Sequence, residues 1–147
     1  MRNGHKFYQV GIKFMTRTYI SLFSCAGIGC YGFKMNGFEC VVSNELLKQR
    51  MSIQKVNHKC KYESGYICGD VISPETHHKI FNEIEMWKQE HHITQIDTLI
   101  ATPPCQGLST ANCKKKDNEQ VRNSLVVQAI RIIKDVYPKI FVFENVR

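Results

Sequence analysis

Thr18-Tyr19-Ile20-Ser21-Leu22-Phe23-Ser24-Cys25-Ala26-Gly27-Ile28-Gly29-Cys30-Tyr31-Gly32 runs from an apolar segment into three closely spaced glycines and then into a helical pattern. Tyr19 to Phe23 reads as a buried strand. The stretch from about Cys30 to Met35 reads as a helix, stopped by Gly37. Glycines between a strand and a helix allow the backbone to approach a ligand at the helix N-terminus, although a tight turn by itself also asks for glycine. The signal is weak alone and gains weight only if the rest of the chain repeats the alternation.

It does. Phe38 to Ser43 reads as a second strand, and Glu45 to about Asn57 as a helix with Leu46, Leu47, Ile53 and Val56 offering an apolar side. Tyr66-Ile67-Cys68 is a short third strand ending at Gly69-Asp70. Ser73 caps the long helix that follows, which has Pro74 in its first turn and carries Ile80, Phe81, Ile84 and Trp87. Asp97 to Ala101 makes a fourth strand, about Val121 to Val136 a helix, and Lys139 to Phe143 a fifth strand ending in Glu144-Asn145. Strands that alternate with helices and are apolar on both faces predict a parallel sheet with helices on each side. Residues 1–17 are basic, aperiodic and glycine-interrupted, so they read as a mobile extension. Met15 could serve as a natural start, and residues 18–147 carry the domain. There is no internal repeat.

Composition sets the bounds. A 147-residue chain that is 43% hydrophobic can bury one core. Its 20 Lys+Arg against 13 Asp+Glu give a net charge of +7, which suits a polyanionic partner. The seven cysteines are odd in number and none has C-x-x-C spacing, so reduced thiols fit better than a disulfide framework. The pairs His77-His78 and His91-His92 have no cysteine at zinc-like spacing and read as solvated surface, so no metal site is expected. No apolar stretch has membrane-spanning length and the first residues lack a signal-peptide centre, which implies a cytoplasmic protein without a membrane partner.

Each predicted strand ends in residues suited to a ligand. Glu45 follows the second strand, where an acid can bond the ribose hydroxyls of a nucleoside cofactor; an acid at a helix start is also favoured by the dipole. Asp70 can accept from an adenine amino group or simply make a turn. After the fourth strand come Pro103-Pro104-Cys105-Gln106. Two prolines fix φ and remove two donors, so the segment presents one thiol on a stiff platform or is a tight loop with an incidental thiol. Glu144 lies within Phe141-Val142-Phe143-Glu144-Asn145-Val146. That setting predicts partial desolvation and a raised pKa, which would let the carboxyl donate a proton.

Taken together, the chain resembles the amino-terminal half of the cytosine-5 DNA methyltransferase family. Leu22 to Gly29, continuing to Gly37-Phe38, is similar to the family's first cofactor motif, and Asn44-Glu45 and Gly69-Asp70-Val71 to the next two. Pro103-Pro104-Cys105-Gln106-Gly107-Leu108-Ser109 is similar to its catalytic motif, and Glu144-Asn145-Val146 to the motif that holds the base. The resemblance runs from about Tyr19 to the last residue. Ser21 stands where the family often has an acid, and Cys25 where it often has glycine.

The resemblance implies a Rossmann-like S-adenosylmethionine-dependent methyltransferase fold, truncated after the fifth strand. It implies S-adenosylmethionine as cofactor, bound by Phe23, Ala26, Gly27, Gly29, Glu45, Asp70, Val71 and Pro103. Pro104, Gln106, Ser109 and Asn145 fall on the substrate, with Cys105 and Glu144 catalytic. The partner implied is duplex DNA with a flipped cytosine, in a bacterial or viral host with restriction-modification as the usual setting. Lys114-Lys115-Lys116 and Arg122 lie in a segment that closes on DNA in the family, or else form a solvated loop. The family's later arginine-bearing motif, target-recognition region and final motif have no counterpart up to Arg147, so a complementing second subunit is expected and the isolated chain is expected to be inactive. A tRNA cytosine-5 methyltransferase and an inactive cofactor-binding fragment remain as alternatives. A dinucleotide oxidoreductase shares the glycine turn and Glu45 but leaves Cys105 and Glu144 without a role.

Overall fold

The computed structural model describes residues 16–104 and 116–145, with the backbone alone for 116–124. Cys105, Gln106, Ser109 and residues 1–15 of the expected extension at 1–17 lie outside the described residues. Five strands form one sheet: β1 (Arg17–Leu22), β2 (Phe38–Glu45), β3 (Tyr66–Cys68), β4 (Thr98–Ala101) and β5 (Ile140–Phe143). Their order is β3-β2-β1-β4-β5 and every pairing is parallel. The helices are α1 (Tyr31–Met35), α2 (Lys48–Val56), α3 (Pro74–His91) and α4 (Lys116–Val136). From β1 the chain moves outward through β2 and β3, then returns to β4 on the other side of β1. The carboxyl edge beside β1 and β4 is therefore a topological switch point, where open α/β sheets hold ligands.

The period-2 alternation of β1 assigns the two faces. Ile20 and Leu22 join Leu99 and Ala101 beneath Ile80, Ile84 and Trp87 of α3 and Ala129, Ile132 and Val136 of α4. Tyr19 and Ile100 point to the opposite face, where they meet Cys30, Cys40, Cys60 and Phe33. At the amino edge, Asp97 Oδ2 accepts from the Thr18 amide at 2.8 Å and its hydroxyl at 3.0 Å, and Oδ1 accepts from Lys139 Nζ at 2.6 Å. One carboxylate thus ties the starts of β1, β4 and β5. No described helix is long and apolar enough to cross a membrane.

Several expectations are corrected in detail. β1 begins at Arg17, inside the expected extension, and ends at Leu22; Phe23 leaves the strand with φ 55. α2 starts at Lys48 and buries Met51 and Gln54, while Leu46, Leu47, Ile53 and Val56 are exposed. The physical reason is that Leu46 and Leu47 precede the helix, in the turn after β2, and the inward side of α2 sits on a polar floor of Ser24 and Ser43. α4 starts at Lys116 instead of about Val121. Ser73 is at the cap position without a side-chain cap bond; its carbonyl accepts from the His77 amide. Ile140, Phe141 and Val142 are exposed, because β5 pairs with β4 alone among the described strands.

Candidate functional site at the carboxyl edge of the sheet

The ends of β1 to β4 converge on a cavity of about 360 Å³. Phe23, Glu45, Asp70, Val71 and Pro104 line it: Glu45 ends β2, and the others follow β1, β3 and β4. A space of this size is within the range that holds small ligands and cofactors. Glu45 is its chemical centre. The side chain is only 5% exposed. Oε2 accepts from the Cys25 amide at 2.8 Å and Oε1 from the Leu47 amide at 3.0 Å, and Arg50 Nη1 stands 3.8 Å from Oε1. A carboxylate held by two backbone donors still has lone pairs for ligand hydroxyls. The same two bonds also fix the loop after β1 and the turn after β2.

Neighbouring polar groups set the rest of the rim. Asn44 Nδ2 donates to the carbonyls of Ile67 at 3.1 Å and Gly69 at 3.0 Å, which docks the end of β3 against β2 and positions Gly69-Asp70. Asp70 is exposed, and its Oδ1 accepts from the Ile72 amide at 3.0 Å, so it makes the turn foreseen as an alternative and also borders the cavity. Thr102 Oγ1 donates to the Phe23 carbonyl at 3.2 Å. Phe23 and Cys25 both have positive φ, 55° and 51°, a conformation that costs non-glycine residues energy and is found where a site over-determines the backbone.

The glycine turn is held from below. Gly27 has φ 85°, and a Cβ there would lie 3.2 Å from both Gln54 Cγ and Lys59 Cδ. Gln54 is fully buried and joins both sides of the turn. Its Nε2 donates to Ser24 Oγ at 2.7 Å and to the Cys25 carbonyl at 2.5 Å, and its Oε1 accepts from Ser43 Oγ at 2.5 Å. A Cβ on Gly29 or Gly32 would meet nothing within 4 Å, so packing asks for glycine at the first of the three positions alone.

The expected site residues therefore divide. Phe23, Glu45, Asp70 and Val71 are brought together, and Pro104, expected on the substrate, shares their cavity. Ala26 and Gly27 instead line a second cavity of about 420 Å³ with Tyr19, Cys30 and Tyr31, and Gly29 borders a hollow beside Arg17 and Phe38. Pro103 is buried and does not line the main cavity. Glu144 follows β5, and its amide donates to the Ala101 carbonyl at 3.0 Å, which sets it beside the strand that leads to Pro103-Pro104. Its side chain is exposed, so the expected desolvation is absent: the flanking apolar residues of the edge strand β5 are themselves exposed. Both amide atoms of Asn145 are buried with no hydrogen-bond partner among the described residues, a polar pair that suits a site for another polar group.

Arg50, Thr102 and Leu125 also line the cavity and were missed by sequence reasoning; Cys25 and Asn44, which fall within the cofactor motifs but were given no role there, line it too. Arg50 carried a usable signal, a cation in the first turn of the helix that follows Glu45. Gln54 carried none, since a glutamine in a short helix reads as solvated.

Residues 17–147 match the family model described as C-5 cytosine-specific DNA methylase. The chain is 37% identical over 134 residues to the type II methyltransferase M1.HgaI of Avibacterium volantium, covering 86% of this chain and 34% of that protein. It is 31% identical to the type II methyltransferase M.AquIA of Picosynechococcus, covering 90% of this chain and 50% of the relative. The DNA-cytosine methyltransferase of Escherichia coli K12 is 31% identical, with 88% and 29% covered. The chain thus spans about a third of the length of most of these relatives. Among solved structures, a candidate DNA modification methyltransferase encoded within an E. coli prophage superposes with a TM-score of 0.62 at 23% identity, over 89% of this chain and 32% of that one, which establishes the likeness of fold.

Proposed function

The chain belongs to the C-5 cytosine-specific DNA methylase family, and on that premise we propose that it is the cofactor-binding and catalytic part of a DNA (cytosine-5-)-methyltransferase. The observation that supports this most is Glu45: a buried carboxylate at a strand end, held by two backbone amides, on the wall of a cavity at the switch point. The donor set fits an adenosine-containing cofactor. Glu45 offers acceptors to the ribose hydroxyls, Asp70 offers one to the adenine amino group, and Phe23, Val71 and Leu125 give apolar walls for the base. S-adenosylmethionine, when bound there, supplies an electrophilic methyl group.

The chain's own residues prepare the acceptor. Cytosine C5 is a poor nucleophile while the ring stays aromatic. Cys105 comes next in the sequence after Pro104, which lines the cavity, and its thiolate forms a bond to C6 of a cytosine turned out of the duplex. The electron pair displaced from the 5,6 double bond is delocalised toward N3, where Glu144, exposed in the chain alone and desolvated only by the bound base, donates a proton or a hydrogen bond, and C5 becomes enamine-like. Once C5 has been methylated, its proton passes to water, and the C5–H pair re-forms the 5,6 double bond as the C6–S bond breaks and the Cys105 thiolate leaves. Any proton held at N3 returns to Glu144. The surplus of basic residues suits the phosphates of the duplex, and the recognition of a DNA sequence falls to parts of the relatives that this chain does not span.

The test is methyl transfer from labelled S-adenosylmethionine to duplex DNA and to tRNA by the chain together with a polypeptide supplying the rest of the family domain. Incorporation into DNA is expected, abolished by Cys105→Ser, with a 5-fluorocytosine duplex trapping Cys105 covalently. Preference for tRNA, or trapping at Cys25 or Cys113, would overturn the assignment.

A further inference from the structure

On the face of the sheet opposite α3 and α4, a second set of reactive side chains lies outside the site described above. Cys40, in β2, and Cys60, in the segment after α2, are paired by an isolated parallel bridge. Both are buried, and the Cys60 thiol meets Cys40 Sγ at 3.6 Å. Strands in register lie about 4.8 Å apart, inside the roughly 4.4–6.8 Å Cα separation that a disulfide accepts. The two thiols therefore share a face, a register and van der Waals contact. We propose that Cys40 and Cys60 are an oxidative modification site, closing to a reversible intramolecular disulfide when a hydroperoxide reaches the protein.

The surroundings support a nucleophile and a resolving partner. Lys59, 9% exposed, donates to Ser43 Oγ at 2.9 Å and has no carboxylate within salt-bridge distance among the described residues. Burial acts to raise the Cys40 thiol. The hydrogen bond from Cys60, the Lys59 ammonium and the Tyr19 phenol outweigh it, and the pKa lies below the ordinary thiol value. The same hydrogen bond and burial push the Cys60 thiol up. In the neutral state Cys40 donates in turn to the Val42 carbonyl at 3.5 Å, a bond lost on ionisation. Tyr19, Cys30 and Lys59 line the open cavity of about 420 Å³, which brings solvent to the edge of the cluster.

The chemistry balances with a hydroperoxide as oxidant. The Cys40 thiolate attacks the peroxide oxygen, the O–O bond breaks, and hydroxide (or alkoxide) leaves as Cys40 becomes a sulfenic acid. Cys60 then displaces the sulfenic oxygen, which departs as water, and the S–S bond forms. Two thiols lose two electrons and two protons, and hydrogen peroxide is reduced to two waters. Cys25 and Cys68 are exposed and free, but neither is described against a second thiol, so their oxidation would follow exposure instead of pairing.

The full folded chain is treated with a modest excess of hydrogen peroxide, free thiols are blocked with N-ethylmaleimide, and peptides are mapped without reduction. The expected product is one cross-linked peptide joining Cys40 to Cys60, formed several-fold faster than in the urea-unfolded chain and lost on adding dithiothreitol. In the Cys60→Ser variant, a dimedone adduct should accumulate on Cys40. Recovery of Cys40 and Cys60 as blocked thiols while Cys25 and Cys68 are oxidised, or cross-links joining Cys40 to other cysteines, would overturn the proposal in the wild-type chain alone, whether or not the variant folds.

Discussion

Glu45 accepts from the Cys25 and Leu47 amides, so it organises its own pocket while leaving lone pairs toward the cavity. If it also receives the ribose hydroxyls, Glu45→Ala should weaken S-adenosylmethionine binding by about 1–3 kcal/mol, the cost of losing a charged hydrogen-bond partner. Asp70→Ala should cost less, since Asp70 is exposed and already serves the Ile72 amide. Calorimetry that finds unchanged affinity in both variants would remove them from the site. Gln54 makes a different prediction. It touches no ligand-facing surface of the main cavity, yet its amide satisfies Ser24, Ser43 and the Cys25 carbonyl. Gln54→Leu should destabilise the fold by about 1–3 kcal/mol by orphaning buried polar groups, read as a lower urea midpoint; a midpoint that does not move would show that the turn after β1 holds itself. Glu45 was legible in the sequence because its position after a strand has a physical meaning. Gln54 was not, because its role exists only once α2 is laid over Ser24 and Ser43.

Strands and helices were legible for the same reason that Glu45 was: alternation of apolar runs with helical periods is a local property. What failed was non-local. The expected apolar side of α2 is exposed since the floor beneath that helix is polar, and nothing within Lys48–Val56 reports what lies beneath it. The division of the glycine turn between two cavities was hidden likewise, because it depends on Lys59 and Gln54 filling the space under Gly27. Asp97, read as the first residue of a strand, turns out to clamp three strands. Burial opposes its ionisation, but the Lys139 ammonium and the Thr18 donors prevail and hold its carboxyl below the usual value. A depressed folded pKa contributes stability that is present above the unfolded value near 3.8 and is lost as pH falls through the folded one. Asp97→Ala should therefore cost about 1–3 kcal/mol at pH 7, through the stranded Thr18 donors. The gap between variant and wild type should narrow as thermal melts are taken from pH 5 toward pH 2. A gap that stays constant over that range would mean that the ionised form of Asp97 contributes nothing to the clamp.

At the scale of the molecule, two observations bear on what the chain does alone. It covers 34% of M1.HgaI and 29% of the E. coli enzyme, and its β5 leaves Ile140 61% and Phe141 59% exposed. Further apolar side chains, Ile28, Tyr31 and Met35, stand exposed along a 3₁₀ turn (Ile28–Cys30) and the helix α1 that continues from it. Uncovered apolar strands and helix faces of this kind are ordinarily covered by another part of a fold or by a partner. The main cavity, in contrast, is walled by residues within this chain from the ends of four strands. Cofactor binding and catalysis should therefore separate: the isolated chain is expected to bind S-adenosylmethionine measurably, to self-associate at raised concentration, and to transfer no methyl group to DNA. Adding a polypeptide that carries the remaining length of a family member should restore incorporation of labelled methyl and reduce self-association in sedimentation, because the partner would occupy the exposed apolar surface. Sequence-specific methylation by the isolated, monomeric chain would show that the exposed β5 needs no cover and that recognition resides in residues already present here.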